Sequence, residues 1–261
     1  SSFNYQAIDE ERMRDTTPVV VKAYRTPLGK EGGVFADVRP EDLSIPLIDR
    51  ILEETALTGA DVDDLKWGCA QQRSEQGNNM ARVIALLSEL GERTPATTIN
   101  RWCASSAEAI INAANAIAAG QRDCIIAGGV ESMSRVSMGA NSEIHPGLND
   151  RHNIAALQMG MTAEEVAERY GVSRETQDAH AAQSQQRAVA ATEDGRFADE
   201  IVPIEGHDEE GESITVTKDE GLRPGTTAET LADLPPVFTA AGTVTAGNAS
   251  QTTDGAAALL V

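Results

Sequence analysis

The sequence predicts an α/β fold in which a mostly parallel mixed sheet is covered by helices on both faces and carries one long insertion. Three observations predict it. Over residues 18–129, short apolar runs alternate with segments whose apolar residues recur at helical spacing. From about 130 to 245 that alternation gives way to polar loops around helical stretches. The last residues, Gly255 to Val261, return to the composition of a buried strand.

The elements follow in order. Residues 1–17 are polar and rich in Arg, Asp and Glu, and read as a leader. Pro18 to Ala23 is a short apolar run expected to be a buried strand, broken by Pro27 and Gly29. Leu43, Leu47, Ile48, Ile51 and Leu52 predict a first helix; Met80, Val83, Ile84 and Leu87 predict a second, closed by Gly91. Thr97 to Asn100 predicts a strand. Ala107, Ile110, Ile111, Ala114, Ile117 and Ala118 predict a third helix, with Gly120 behind it. Cys124 to Ala127 predicts a strand ending at Gly128-Gly129. In the insertion, Thr162-Ala-Glu-Glu165 has the spacing of a capping box before a helix, and another helix is expected from about Glu175 to Gly195. Gly206–Gly211 reads as an acidic turn, and Ser213 to Thr217 alternates like an exposed strand.

Composition narrows the function. Of 261 residues, 41% are hydrophobic but only 3% aromatic, so the core must be built from Ala, Val, Ile and Leu. The formal charge of -20, from 41 acidic and 21 basic residues, repels nucleic acid and anionic membrane surfaces. With only four lysines, so dispersed an acidic excess suits a protein adapted to high salt, where the charges are screened, or an acidic protein of the cytoplasm. No apolar run is long enough to span a membrane. Cys69, Cys103 and Cys124 form no CxxC pair, which argues against a disulfide framework and for a reducing, cytoplasmic setting. His145, His152, His180 and His207 have no metal-ligand spacing to one another or to a cysteine, so no metal is expected and each reads as a surface residue.

The segment with chemical promise is Asn100-Arg-Trp-Cys-Ala-Ser-Ser106. A strand ends, the chain bends, and a helix begins at or beside Cys103. Unsatisfied backbone N–H groups and the positive end of the helix favour a thiolate there, and the same N–H groups can stabilise an oxyanion on an attached acyl group. The same spacing also suits a small buried residue at a strand–helix junction. Cys69 and Cys124 read as core cysteines. Neither a GxGxxG nor a GxxxxGK[ST] pattern is present. Arg223, in the turn Asp219-Glu-Gly-Leu-Arg-Pro224, is an exposed arginine able to stack on a flat ring or meet a phosphate, or simply a solvated turn residue.

Taken together, these segments resemble the thiolase family. Asn100 to Ser106 is similar to the thiolase nucleophile segment, and Ala127-Gly-Gly-Val-Glu-Ser-Met-Ser134 to the strand and loop that follow it. Gln158-Met-Gly-Met-Thr-Ala-Glu-Glu-Val-Ala167 resembles the loop-domain signature. Ser184-Gln-Gln186 and Asp219 to Pro224 fit as well, and Ala246-Gly-Asn-Ala-Ser-Gln-Thr-Thr-Asp-Gly255 resembles the return to the core sheet. The resemblance implies the amino-terminal half of an αβαβα sandwich over residues 18–261, with 130–245 as a loop-domain insertion. It implies that Cys103 accepts the acyl group, Met159 lines the pantetheine tunnel, Ser250 contacts the pantetheine and Arg223 lies by the adenine end of coenzyme A. Coenzyme A is then a substrate, with no covalently bound cofactor. Gln158 replaces the His of many biosynthetic members and resembles degradative 3-ketoacyl-CoA thiolases. The Asn-Glu-Ala-Phe, Gly-His-Pro and Cys-x-Gly motifs of the family's second half do not occur in this sequence. The expectation is an acyltransferase that needs a second copy or a complementary half and turns over negligibly alone. Two other readings stay open: a ketoacyl-synthase-like condensing enzyme, and a non-catalytic CoA-binding or assembly subunit.

Overall fold

The structure is a computed structural model that describes residues 16–139 and 143–261. All of the expected leader except Thr16 and Thr17 lies outside the described residues. The described residues divide into two compact units, one formed by residues 16–26, 38–131 and 255–261 and the other by 27–37, 132–139 and 143–254.

In the first unit the elements are β1 (Lys22–Arg25), α1 (Pro40–Thr55), β3 (Asp64–Gly68), α2 (Met80–Leu87), β4 (Ala96–Ile99), α3 (Ser105–Ala118), β5 (Ile125–Ser132) and most of β8 (Thr253–Leu260). The sheet order is β1-β8-β5-β3-β4. Strand β3 runs parallel to β4 and β5, whereas β8 is antiparallel to β1, so the sheet is mixed. Register decides which helix covers which face. Trp67 stands beside Thr98, whose hydroxyl accepts a hydrogen bond from the Ala81 N–H of α2, so α2 covers the Trp67 face, with α1 packed beside it. Ala113 and Ile117 of α3 pack on Ile125, Ala127 and Val261 of the other face. With so few aromatics, Trp67 and Phe35 are the largest fully buried side chains, and aliphatic residues fill the rest.

In the second unit β2 (Gly29–Lys30) pairs with the first two residues of β8, and β6 (Ile204–His207) forms an antiparallel ribbon with β7 (Ser213–Val216). Its helices are α4 (Met159–Tyr170), α5 (Arg174–Glu193) and α6 (Ala228–Ala232). Ser173 caps α5 by accepting from the Thr176 N–H.

Several expectations need correction. Val19, Val20 and Val21 are not a buried strand; they are more than half exposed, and the strand begins at Lys22. Among the described residues β1 sits at the sheet edge with β8 as its only strand neighbour, and apolar composition alone cannot supply a covering layer. Gly128 and Gly129 do not end β5 but lie in its middle, and Cys124 precedes the strand. Thr162 does not cap α4. The helix already starts at Met159, and the Thr162 hydroxyl bonds back to the Ala156 and Gln158 carbonyls. Strand β6 had no sequence signal of its own, because only pairing with β7 makes it a strand.

Glu54 ties α1 to β1. It accepts from Lys22 Nζ at 2.7 Å and from the Tyr24 hydroxyl, and Arg50 pairs with it one turn back. The Lys22 hydrogen bond, then the Tyr24 one, outweigh the opposing effect of burial and hold its pKa at about 2 against an ordinary 4.5. A depressed carboxylate stabilises the fold fully above its unfolded pKa, and that stabilisation is lost as pH falls through the folded value. Glu54→Gln is therefore expected to lower the thermal midpoint at neutral pH, with the gap to the parent closing between pH 4.5 and about 2. Melts across that range check it; a gap that stays constant with pH contradicts it.

Candidate active site

Strand β4 ends at Ile99 and α3 begins at Ser105, so five residues make the turn between them. Asn100 Oδ1 accepts the Trp102 N–H at 2.9 Å. From the other side, Ser105 Oγ accepts the Arg101 N–H at 2.9 Å and donates to the Trp102 carbonyl. Trp102 is driven into the left-handed region, φ +50°, which costs a bulky L-residue roughly 1–2 kcal/mol and must be held by those bonds. The result is an elbow on which Cys103 is exposed. The helix starts two residues after Cys103 rather than at it. Its cap residue, Ala104, has no side-chain acceptor, so no cap side chain occupies the first-turn N–H groups.

Two glycines allow α3 to come this close. Gly68 and Gly129 are register partners on β3 and β5. A Cβ on Gly68 would lie 2.4 Å from the Ser106 nitrogen, and one on Gly129 would lie 2.1 Å from Ser106 Oγ and 2.5 Å from the Gly68 carbonyl oxygen. No side chain fits at either position without moving the first turn of α3.

The other cysteines are placed differently. Cys69 is buried; burial, then the Glu131 charge, pushes its thiol up to about 12. Cys124 is half-buried at a cavity of about 460 Å³ lined by Val19, Val21, Leu57 and Ile117, and burial with the charges of Asp63 and Asp61 pushes it up to about 11. Both are protonated at neutral pH, which leaves Cys103 as the exposed thiol.

In the second unit one segment, Thr243–Gln251, organises the remaining candidates. At one end Glu164 of α4 accepts from the Thr243 N–H at 2.9 Å and the Val244 N–H at 2.9 Å, while Gly160 of the same helix lies against the Phe238 ring. Met159, the first residue of α4, is 59% exposed. At the other end Gln251 Nε2 donates to the Gly221 carbonyl at 2.8 Å, and Gln185 Oε1 accepts the Arg223 N–H at 3.0 Å. Ser250 is exposed beside Gln251, and Arg223 is exposed in its turn. In the middle, Asn248 donates to Asp178 at 2.9 Å, and the same carboxylate pairs with Arg174 at 2.7 Å. The segment thus ties the helix of Met159, the turn of Arg223 and Ser250 itself into one bonded frame. Glu164, Gln251 and Asp178 were not legible as site residues, since their partners lie tens of residues away.

His145, His152 and His180 are exposed, and His207 is half-buried on β6. Among the described residues no group of three or more His, Cys, Asp or Glu is placed to hold a metal ion, and no helix is long and apolar enough to cross a membrane.

The site is an exposed thiol on a strand–helix elbow in a mixed α/β domain, a placement open to nucleophilic chemistry. The family model for the thiolase N-terminal domain matches residues 18–261, and the chain belongs to the thiolase family. It is 49% identical over 247 residues to the 3-ketoacyl-CoA thiolase of Pseudoalteromonas translucida (strain TAC 125), covering 94% of this chain and 64% of that protein. It is also 49% identical over 246 residues to the 3-ketoacyl-CoA thiolase of Escherichia coli O1:K1 / APEC, and 48% identical over 246 residues to that of Cronobacter sakazakii; each alignment covers 93% of this chain and 64% of the relative. The chain therefore spans a little under two thirds of the length of these relatives.

Burial raises the Glu164 carboxyl, but the Thr243 and Val244 N–H groups outweigh it and hold the group below its ordinary value. Glu164→Gln removes that charge. Amide hydrogen exchange at Thr243 and Val244 is expected to quicken by about tenfold, the scale of one or two lost charge-assisted bonds at a partly exposed site. Unchanged exchange there contradicts the frame.

Proposed function

We propose that this chain supplies the nucleophile and the coenzyme A-binding segments of a thiolase-type acyltransferase that cleaves 3-ketoacyl-CoA with CoA or runs the reverse condensation. The observation that carries the reading is Cys103. Of the three cysteines it alone is exposed, and it stands on a bend bonded from both sides at the entrance to a helix.

The Cys103 sulfur attacks the 3-keto carbonyl carbon, and that oxygen takes up the electron pair. The bond between C2 and C3 then breaks, C2 is protonated, and acetyl-CoA leaves with the acyl group held as a thioester on Cys103. The thiol of a second CoA attacks this thioester, releasing the shortened acyl-CoA and restoring the cysteine; this is two-step covalent catalysis with ping-pong kinetics. Nearby backbone N–H groups are suited to the oxyanion. In the second unit, the loop domain of the proposal, Met159 lines the pantetheine, Ser250 contacts it and Arg223 lies at the adenine end. No metal takes part. Gln158 favours longer or variable acyl chains.

A catalytic base contributes ~10²–10⁴-fold and a missing oxyanion donor costs ~10²–10³-fold, so the chain by itself transfers acyl groups slowly. We assign the base to a complementary thiolase half, joined or separate, and the exposed apolar surface to that half or to a second copy. Val83, Leu86 and Leu87 of α2 are exposed apolar residues on one helix, suited to such an interface. The charge of -20 suits a cytoplasm of high salt.

The test is incubation with acetoacetyl-CoA in molar salt, followed by peptide mass spectrometry and light scattering of the same sample. An acetyl group on Cys103, absent in Cys103→Ser, is expected, together with a species larger than one chain. A folded chain with no acyl group on Cys103, or with acylation at Cys69 or Cys124 instead, contradicts the nucleophile. A monomer stable to dilution contradicts the interface.

A further inference from the structure

We propose that Glu131 and Asn100 are positioning residues for Cys103, acting through the peptide groups of Ala70 and Trp102. The inference rests on the reading of Cys103 as acyl acceptor and adds what holds it in place. The contacts form one continuous line. Glu131 Oε2 accepts the Ala70 N–H at 2.8 Å. The Ala70 carbonyl, the next peptide along, accepts from Asn100 Nδ2 at 3.1 Å. Asn100 Oδ1 accepts the Trp102 N–H at 2.9 Å, one residue before Cys103. A single asparagine thus uses both ends of its amide, one on the loop after β3 and one on the elbow.

Glu131 is suited to anchor that line because it is over-bonded. Its other oxygen accepts the Gln71 N–H at 3.1 Å and Gln76 Nε2 at 2.6 Å, and Cys69 Sγ lies 4.0 Å away. Gln76 is wholly buried and also donates to the Gln71 carbonyl at 3.0 Å. A carboxyl group gathering two backbone N–H groups and a buried amide makes the loop after β3 a rigid base. Strain falls at both ends of the line. Of the four non-glycine residues with positive φ among the described residues, Ser74 and Asn78 lie in this loop and Trp102 lies in the elbow. Left-handed residues persist only where the surroundings over-determine them.

The simpler alternative is that Glu131 only seals the buried loop. The Gln71 and Gln76 bonds would serve for that. The Ala70 bond differs, because the following carbonyl is occupied by Asn100, which in turn holds the bend beside Cys103. Sealing predicts a change in stability; positioning predicts a change at Trp102 and Cys103 without one.

The test compares the parent chain with Glu131→Gln, Asn100→Leu and Asn100→Asp. Asn100→Asp keeps the acceptor for the Trp102 N–H but loses the donor to Ala70. Two quantities are read: hydrogen exchange at the Trp102 amide, against amides of α1 as an internal standard, and the acylation rate of Cys103 as a function of acetoacetyl-CoA concentration. Glu131→Gln and Asn100→Leu are expected to speed Trp102 exchange and to lower the saturating acylation rate by about fivefold, the scale of one lost hydrogen bond, with half-saturation unchanged. Asn100→Asp is expected to fall between them and the parent. Parent-like Trp102 exchange in both Glu131→Gln and Asn100→Leu, with α1 amides still protected, overturns the proposal. If the parent chain shows no acylation, the nucleophile reading fails by itself, while Trp102 exchange still decides the relay.

Discussion

The first turn of α3 lies so close to Gly68 and Gly129 that a methyl group at either position would overlap the helix or the neighbouring strand. That approach fixes where Ser105 and Ser106 sit. Ser105 then reaches back to bond both flanks of Trp102, and the chain can enter the helix only through a left-handed residue. An exposed Cys103 is the geometric consequence. Sheet register, a pair of missing side chains and one strained residue therefore act in sequence to present a thiol, and none of the three would do so alone. The strain is small beside the burial of α3 on Ile125, Ala127 and Val261, which supplies the packing that holds the turn.

The second unit solves a different problem by the same means. Its three candidate contacts for coenzyme A lie on a helix start, a turn and a loop, which are the parts of a chain least able to hold a position unaided. They are fixed through backbone groups: Glu164 takes the N–H groups of Thr243 and Val244, and Gln251 reaches the Gly221 carbonyl. Glu220 does likewise, accepting the Lys30 and Val34 N–H groups. In an acidic chain with 21 basic residues, carboxylates bonded to backbone N–H groups use the abundant charge without requiring a scarce cation for each.

Much of this was legible in the sequence, and the reasons are physical. Helices α1, α2 and α3 follow from apolar spacing, because each buries one stripe against the sheet. The family resemblance rests on short ordered segments, and several of them are places where close approach or bonding leaves little freedom: the elbow, the Gly128-Gly129 strand and the segment from Ala246 to Gly255. What was not legible depends on partners distant in the chain. Val19 to Val21 read as buried, yet among the described residues nothing covers them and they are more than half exposed. Gly128-Gly129 read as a strand end, yet β5 runs through them: Gly129 leaves room for the first turn of α3, and Gly128 leaves room for Trp67 and the Ala257 carbonyl. Glu131 carries no local signal, since its partners at Ala70, Gln71 and Gln76 are some sixty residues earlier. Glu164 stood between Thr162 and Glu165, the pair read as a capping box, and instead anchors a loop.

The most direct test of the account is to restore a Cβ at the crowded pair. Gly68→Ala and Gly129→Ala should be compared with the parent for thermal midpoint and for the rate at which iodoacetamide labels Cys103. The account expects both variants to be destabilised, by roughly 1–3 kcal/mol as for other overpacked sites, and Cys103 labelling to change while α1 stays protected from exchange. Variants that melt with the parent and label at the parent rate would show that the close approach of α3 does not set the elbow.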